Sequence, residues 1–256
     1  MLEQLIQQAA QRLKLARHLV VLTGAGVSKE SGIPTFRDAM EGLWAQYDPQ
    51  DLATPAAFRR NPVLVWDWYE ERRLKVGQVR PNPGHHALVA LERFVPHVTI
   101  ITQNVDGLHR AAGSQHVIEL HGNITQHKCF KDCQGSPTLV DISRLTWEHA
   151  ARPPRCPHCG THLRPNVVWF TEALPQEALT EAFVLCETAD VVLIVGTSGL
   201  VQPAASLPYV AKQRGSAFLI DVNPNRDELV EICDIYLQGA SGVILPQVVE
   251  AMRNDA

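Results

Sequence analysis

The chain has little cysteine, no long apolar run, no excess of either charge and no repeat. Six cysteines in 256 residues argue against a disulfide-stapled scaffold. No apolar run approaches the length of a membrane-spanning helix. The first residues, "MLEQLIQQAAQRLKLARHLVVLTGAG", lack a basic leader, an apolar core and a cleavage site. A cytoplasmic protein that is not secreted is therefore expected. The net charge of −4 and the absence of a basic run give no pull towards nucleic acid or an anionic membrane, so neither is an expected partner, and a monomer is expected. What remains is an ordinary globular composition, 45% hydrophobic and 20% charged, with room for a large domain and a small one.

Short β-branched runs recur at 18–23, 98–102, 117–120, 167–170, 191–195 and 217–222, and each reads as a buried strand. Helical patterns at 84–94, 176–187 and 204–215 lie between several of them, and Leu2, Leu5, Ile6, Ala9, Leu13 and Ala16 make an amphipathic helix at the start. Strands alternating with helices predict an α/β fold, a doubly wound parallel sheet covered on both faces. Two stretches break the rhythm. Residues 39–83 hold most of the tryptophan and tyrosine, and residues 126–165 hold two cysteine pairs; both read as insertions. The main domain is then 1–38, 84–125 and 166–256.

Gly24 and Gly26 follow the first strand directly, where glycine permits a tight turn and close approach of backbone to a phosphate. The third glycine of a dinucleotide fingerprint is missing, because Glu30 and Ser31 stand near Gly32, and no acidic residue closes the next strand. A bare strand-to-helix turn therefore competes with nucleotide binding. Cys129 and Cys133, then Cys156 and Cys159, form two chelating loops suited to tetrahedral zinc. Four protein ligands leave no open position, so such a metal is structural; His127, His158 and His162 are nearby alternatives to a sulfur. Cys186 and Cys233 stand alone and read as core residues. In "VWDWYEERRLKV" (65–76), Tyr69 and Arg72 sit one turn apart beside tryptophans, which by itself suits a packing tyrosine and a solvated arginine.

Taken in order, "GAGVSKESGIPTFR" (24–37), "TQNVDGLH" (102–109), "ELHGN" (119–123) and the two cysteine pairs resemble the signature of the sirtuins, NAD-dependent protein lysine deacylases. The likeness extends through "LWAQYDPQDLATPAAF" (43–58), "VGTSG" (195–199), "DVNP" (221–224) and "GASGVILP" (239–246). It implies a Rossmann-like NAD-binding domain carrying a smaller zinc-binding module and a helical insertion. Gly24, Ala25, Glu30, Phe36 and Arg37 would belong to the cofactor loop, and Gln103, Asn104 and Asp106 to the nicotinamide pocket. Gly196, Thr197, Ser198, Asn223 and Ala240 would complete the NAD site, with Gly196, Ser198 and Asn223 towards the adenosine half.

His121 matches the family's catalytic base, a role suited to an imidazole pKa near neutrality. The implied reaction joins the acyl-lysine carbonyl oxygen to C1′ of the nicotinamide ribose and yields nicotinamide, O-acyl-ADP-ribose and free lysine. ADP-ribosyl transfer or NAD hydrolysis is the alternative on the same fold. Acylated-lysine proteins are the implied partners, NAD and one structural Zn2+ the implied cofactors, and Val168 and Phe170 the acyl-lysine channel. Tyr69-Glu-Glu-Arg72 resembles the Tyr-x-x-Arg pair of sirtuins that prefer malonyl-, succinyl- or glutaryl-lysine. Its phenol and guanidinium would take a distal carboxylate, while Arg73, about 100° further round a helix, is expected in solvent. The family usually has Phe-Gly-Glu where this chain has Phe170-Thr171-Glu172, so a branched residue stands at a position that favours glycine.

Overall fold

The computed structural model describes residues 1–34 and 52–254. Strands are numbered in chain order. β1 (His18–Thr23), β2 (His97–Thr102), β3 (Val117–Glu119), β6 (Val191–Val195), β7 (Phe218–Asn223) and β8 (Ile235–Gln238) form one sheet in the order β3-β2-β1-β6-β7-β8. Every pairing in it is parallel. The sheet is doubly wound: the chain moves outward from β1 to β3, then restarts beside β1 with β6. The strands can be apolar almost throughout because helices cover both faces. Leu19 and Val21 of β1 face α1 (Leu2–Leu15), α4 (Pro83–Leu91) and α8 (Ser241–Asn254). Val20 and Leu22 face the other way, towards α6 (Gln176–Thr188) and α7 (Leu207–Gln213). Cys186 is buried in that second layer and Cys233 packs against it.

The strand–helix rhythm matches the sequence reading closely, with three differences, the first being the strand Gly122–Cys129, whose sequence carries no apolar run. β8 has only four residues, too short a run to stand out. The run at 167–170 is not a strand of the main sheet. Its strand is β5 (Leu163–Val167), which pairs antiparallel with β4 (Gly122–Cys129) in a separate sheet, and Val168 to Phe170 continue beyond it as a non-strand arm. Apolarity there marked two buried residues, Val167 and Trp169, but could not say against which partner. α2 (Pro55–Arg60) and α3 (Pro62–Gln78) lie beside this small sheet, capped by the side chains of Thr54 and Asn61 with proline at each first turn. α5 (Leu108–Ala112) follows β2.

α3 shows why its pattern resisted a helical reading. Val65 and Tyr69 pack with Phe58 and Trp169, whereas Trp66, about 100° round the helix from Val65, packs in a separate cluster with Cys129, Cys156 and Leu163. Val63, Leu64 and Leu74 are exposed elsewhere on the helix, so the sequence shows no single apolar stripe. Trp66 also stacks on His127, with ring centroids 5.2 Å apart. Arg73 is not simply solvated: it pairs with Glu70, which also receives a hydrogen bond from His127 Nε2 at 3.2 Å. Burial works against the Glu70 carboxylate, but His127 and Arg73 outweigh it and hold its pKa down to about 2.

Candidate active site

An open parallel sheet binds ligands where its strand order reverses, outside the carboxyl ends of the strands. Here that point lies between β1 and β6, and the glycines meet there. Gly26 N–H donates to the Gly196 carbonyl at 2.8 Å. A side chain on Gly24 or Gly26 would stand within 2.9 Å of Gly196 or Thr197 backbone. Gly196 itself has φ of 58°. Close backbone packing thus accounts for these glycines even before any ligand is considered. The element after Gly24 is a 3-10 helix from Ala25 to Ser31, not the α-helix of a dinucleotide fingerprint, which accounts for the missing third glycine.

Several of the expected residues converge on this point. Asn104 donates to the Gly24 carbonyl at 3.0 Å and to Ser28 Oγ at 3.2 Å. Ser28 Oγ donates to Asp106 at 2.8 Å, and Asp106 also receives the Leu108 N–H. Burial raises the Asp106 pKa, opposed by these two donors. Gln103 reaches across to Thr197 Oγ1 at 3.1 Å, and Asn223 donates to the Thr197 carbonyl at 2.9 Å. An apolar hollow lined by Leu22, Ile101, Leu120, Ala204 and Leu229 opens beside Gln103 and Thr197. Amide, hydroxyl and carboxylate groups beside an apolar hollow suit the carboxamide, ribose and base of a dinucleotide.

Glu30 lies apart from this cluster: its carboxylate caps α8, accepting from Gly242 N–H at 2.7 Å and from Ser241 Oγ at 3.3 Å. Ala240 stands at the same helix start, where its carbonyl receives the Val243 and Ile244 N–H groups. Ser198 is exposed and Ala25 half-buried. Phe36, Arg37 and most of "LWAQYDPQDLATPAAF" lie outside the described residues.

The hydrogen bonding of His121 fixes its chemistry. Its Nδ1 lies 2.9 Å from the Gln103 carbonyl oxygen. A carbonyl can only accept, so Nδ1 carries the proton and Nε2 keeps its lone pair. Burial lowers the His121 pKa, opposed by that same carbonyl, so the ring is neutral at physiological pH. A neutral imidazole with a free Nε2 is competent as a general base. Two other buried histidines are drawn to the sheet end: His109 Nε2 lies 2.9 Å from Thr23 Oγ1, and its ring sits 4.9 Å from that of His85. His85 also completes the capping box of α4, so its place at a helix start is structural.

The His121 carbonyl accepts the Val168 N–H at 2.9 Å, tying the imidazole loop to the arm after β5. Phe170 N–H donates to the Ala53 carbonyl, and Phe170 is 49% exposed. The chain then turns: Glu172 N–H donates to the Trp169 carbonyl at 3.1 Å, and the Glu172 carboxylate receives the Trp169 N–H at 2.8 Å. Thr171, third in that turn, has φ of 72°, a conformation that β-branched residues avoid and glycine tolerates. The departure from Phe-Gly-Glu is therefore a strained residue. Tyr69 is buried, its hydroxyl accepts the Trp169 indole N–H at 2.9 Å, and burial pushes its pKa up to about 12. The Arg72 guanidinium stacks 4.4 Å from the Trp68 ring centroid, and burial lowers its pKa.

The four expected sulfurs also meet. Those of Cys129, Cys133, Cys156 and Cys159 all lie within 4.8 Å of one another, with Cys129–Cys159 at 3.5 Å and Cys133–Cys156 at 3.8 Å. A tetrahedron with metal–sulfur bonds of about 2.3 Å has edges of about 3.8 Å, so the cluster fits a single thiolate-bound ion. His127 is engaged with Glu70, His162 Nδ1 lies 3.3 Å from the Pro153 carbonyl, and His158 is exposed. Four sulfurs form the cluster, and none of the three histidines belongs to it.

A doubly wound sheet with a polar site at its switch point, an oriented imidazole and a four-cysteine cluster defines a dinucleotide-using fold with a cluster that could hold a metal ion. The Sir2 family profile matches residues 24–203, and the chain belongs to that family. It is 49% identical over 249 residues to the NAD-dependent protein deacylase of Pyrococcus abyssi, covering 97% of this chain and 98% of that one. A Sir2 homolog solved as an NAD complex superposes with a TM-score of 0.86 at 42% identity, covering 97% of this chain and 94% of the other. The Sir2Af2 structure bound to a myristoylated histone peptide gives a TM-score of 0.75 at 35% identity, over 98% of each chain.

Proposed function

We propose that this chain is an NAD-dependent protein-lysine deacylase that accepts acidic acyl groups, succinyl or malonyl, as well as acetyl. The observation that carries the catalytic part is the His121–Gln103 bond, which leaves a basic Nε2 on a histidine held by Gln103, itself bonded across the switch point to Thr197. NAD would lie across that point, with its nicotinamide end towards Gln103, Asn104 and Asp106 and its adenosine end towards Thr197, Ser198 and Asn223. When bound, it supplies an electrophilic ribose carbon to the acyl-lysine oxygen and becomes part of the O-acyl-ADP-ribose product. The protein's part is to orient the carboxamide, exclude water and accept a ribose hydroxyl proton on His121 Nε2. The Cys129, Cys133, Cys156 and Cys159 thiolates would hold a structural zinc.

Tyr69 and Arg72 support the acidic-acyl reading. A phenol that stays protonated at all physiological pH and a guanidinium on the same helix face suit a distal carboxylate. An acetyl group would leave these polar groups without a ligand partner. The test compares succinyl- and acetyl-lysine peptides with wild type, Tyr69→Phe and Arg72→Met, quantifying products by mass spectrometry. Both variants should lose about tenfold or more in desuccinylation, the effect of one lost charge-assisted hydrogen bond, with a smaller change in deacetylation. Equal losses on the two peptides would return the pair to packing roles.

A further inference from the structure

The bond between Trp169 and Tyr69 has a direction that the identity of its atoms fixes. An indole nitrogen can donate a hydrogen bond but never accept one, so at 2.9 Å the Tyr69 oxygen must be the acceptor. With one lone pair engaged, the hydroxyl turns its own proton away from Trp169. Tyr69 makes no other hydrogen bond among the described residues, so its proton has no acceptor among them. Most polar side chains near a phenol would leave the direction open, because a carboxamide, a hydroxyl or a water can reverse roles.

Trp169 cannot readily move to release this constraint. The Arg164 guanidinium carbon lies 3.2 Å from its ring centroid, and Phe58 packs against it at 5.4 Å. Arg164 is fully buried and held by the Glu172 carboxylate at 2.6 Å and the Val167 carbonyl at 2.6 Å. That same carboxylate receives the Trp169 backbone N–H. Both ends of Trp169 are thus anchored to the turn that carries Phe170 and Thr171, and its neighbour Val168 is bonded to the His121 carbonyl. One residue connects the catalytic loop, the acyl-lysine arm and the Tyr69 hydroxyl.

We infer that Trp169 is a positioning residue for acyl selectivity: its indole N–H occupies the Tyr69 oxygen and so obliges the hydroxyl to present its proton to the carboxylate of an acidic acyl group. The inference rests on the acidic-acyl reading above. Without that N–H, the hydroxyl is free to turn its lone pairs towards the acyl carboxylate, an arrangement that repels a succinyl or malonyl group and is indifferent to an acetyl group.

The test is a double-mutant cycle on the ratio of desuccinylation to deacetylation kcat/KM, using wild type, Trp169→Phe, Tyr69→Phe and the double variant. Trp169→Phe removes the donor and keeps an aromatic ring. It should lower the ratio about threefold to tenfold with acetyl-lysine turnover changed far less, and it should lower it no further in the Tyr69→Phe background. A merely structural role would depress both substrates together and would add to the Tyr69→Phe effect. If Trp169→Phe melts early, 3-benzothienylalanine at position 169 keeps the ring volume with sulfur in place of N–H, and the same ratio is read. A ratio that falls in Tyr69→Phe but is unmoved, or falls additively, in the Trp169 variants overturns the inference and leaves the acidic-acyl reading standing. A ratio unmoved in both Tyr69→Phe and Arg72→Met removes both.

Discussion

The parallel sheet and the small β4–β5 sheet with its neighbouring helices hold together by different means. Two broad apolar layers flank the parallel sheet, and its strands contribute to both at once. The small part has two modest clusters, built largely from aromatic rings: Phe58, Tyr69 and Trp169 in one, Trp66 with two of the cysteines in the other. Directed contacts add to them. Arg152 pairs with Asp67, Glu70 joins Arg73 to His127, and buried Arg164 pairs with Glu172. Buried apolar area dominates the first region, where capping and switch-point hydrogen bonds are few beside the two layers. In the second, each contact has a geometry, and the cysteine cluster joins the strand ends to α3 through Trp66. The proposed acyl selectivity falls in the region whose structure depends on a few oriented groups.

The largest effect that would sharpen this contrast is removal of the metal proposed for the four cysteines. Structural zinc in small modules contributes on the order of 10 kcal/mol to folding, far more than any single contact in the clusters around it. Chelation, or Cys156→Ser, should abolish the near-ultraviolet circular dichroism of Trp66 and Trp147 and open residues 130–160 to protease. The far-ultraviolet signal of the parallel sheet should largely persist. Simultaneous loss of both signals would mean that the two regions form one cooperative unit.

Next in size is His121, where the regions meet. His121→Ala should cut deacylation by about 10²- to 10⁴-fold, the usual contribution of a general base, with the melting temperature nearly unchanged. The wild-type pH profile carries a sign. Because burial lowers the His121 pKa, the neutral, basic form persists below the ordinary imidazole value of 6.5, and the acid limb of kcat/KM should lie below it. An acid limb above 6.5 would contradict this environment.

The smallest effect concerns Thr171. A non-glycine residue at φ of 72° is strained, and relief is worth about 1–3 kcal/mol, of which the added freedom of glycine in the unfolded chain takes back about 0.5–1 kcal/mol. Thr171→Gly should therefore raise the unfolding free energy by about 1 kcal/mol in a denaturant titration. A lower stability would show that the threonine side chain makes contacts that outweigh its backbone strain.

Much of the parallel sheet was legible without coordinates, because strands buried on both faces must be apolar throughout and the helices between them repeat at a helical period. The cysteine spacing marked a metal knuckle for a similar reason: ligands close in sequence need little else to meet. The run at 167–170 was misread as a main-sheet strand, since apolarity reports burial and not the partner. The composition also left the Tyr69–Arg72 pair ambiguous, because exposed Val63, Leu64 and Leu74 blur the apolar stripe of their helix. Glu30, grouped with the cofactor loop by motif, proves to cap a helix more than two hundred residues away.

The sequence by itself determined local chemistry: where most strands of the main sheet form, which cysteines gather, and which histidine stands in the right motif. Tertiary structure alone decided orientation. Which nitrogen of His121 carries the proton depends on the Gln103 carbonyl, and which way the Tyr69 hydroxyl points depends on an indole one hundred residues away. Hydrogen-bond direction is a property of a pair, and the pair exists only once the fold has brought its two members together.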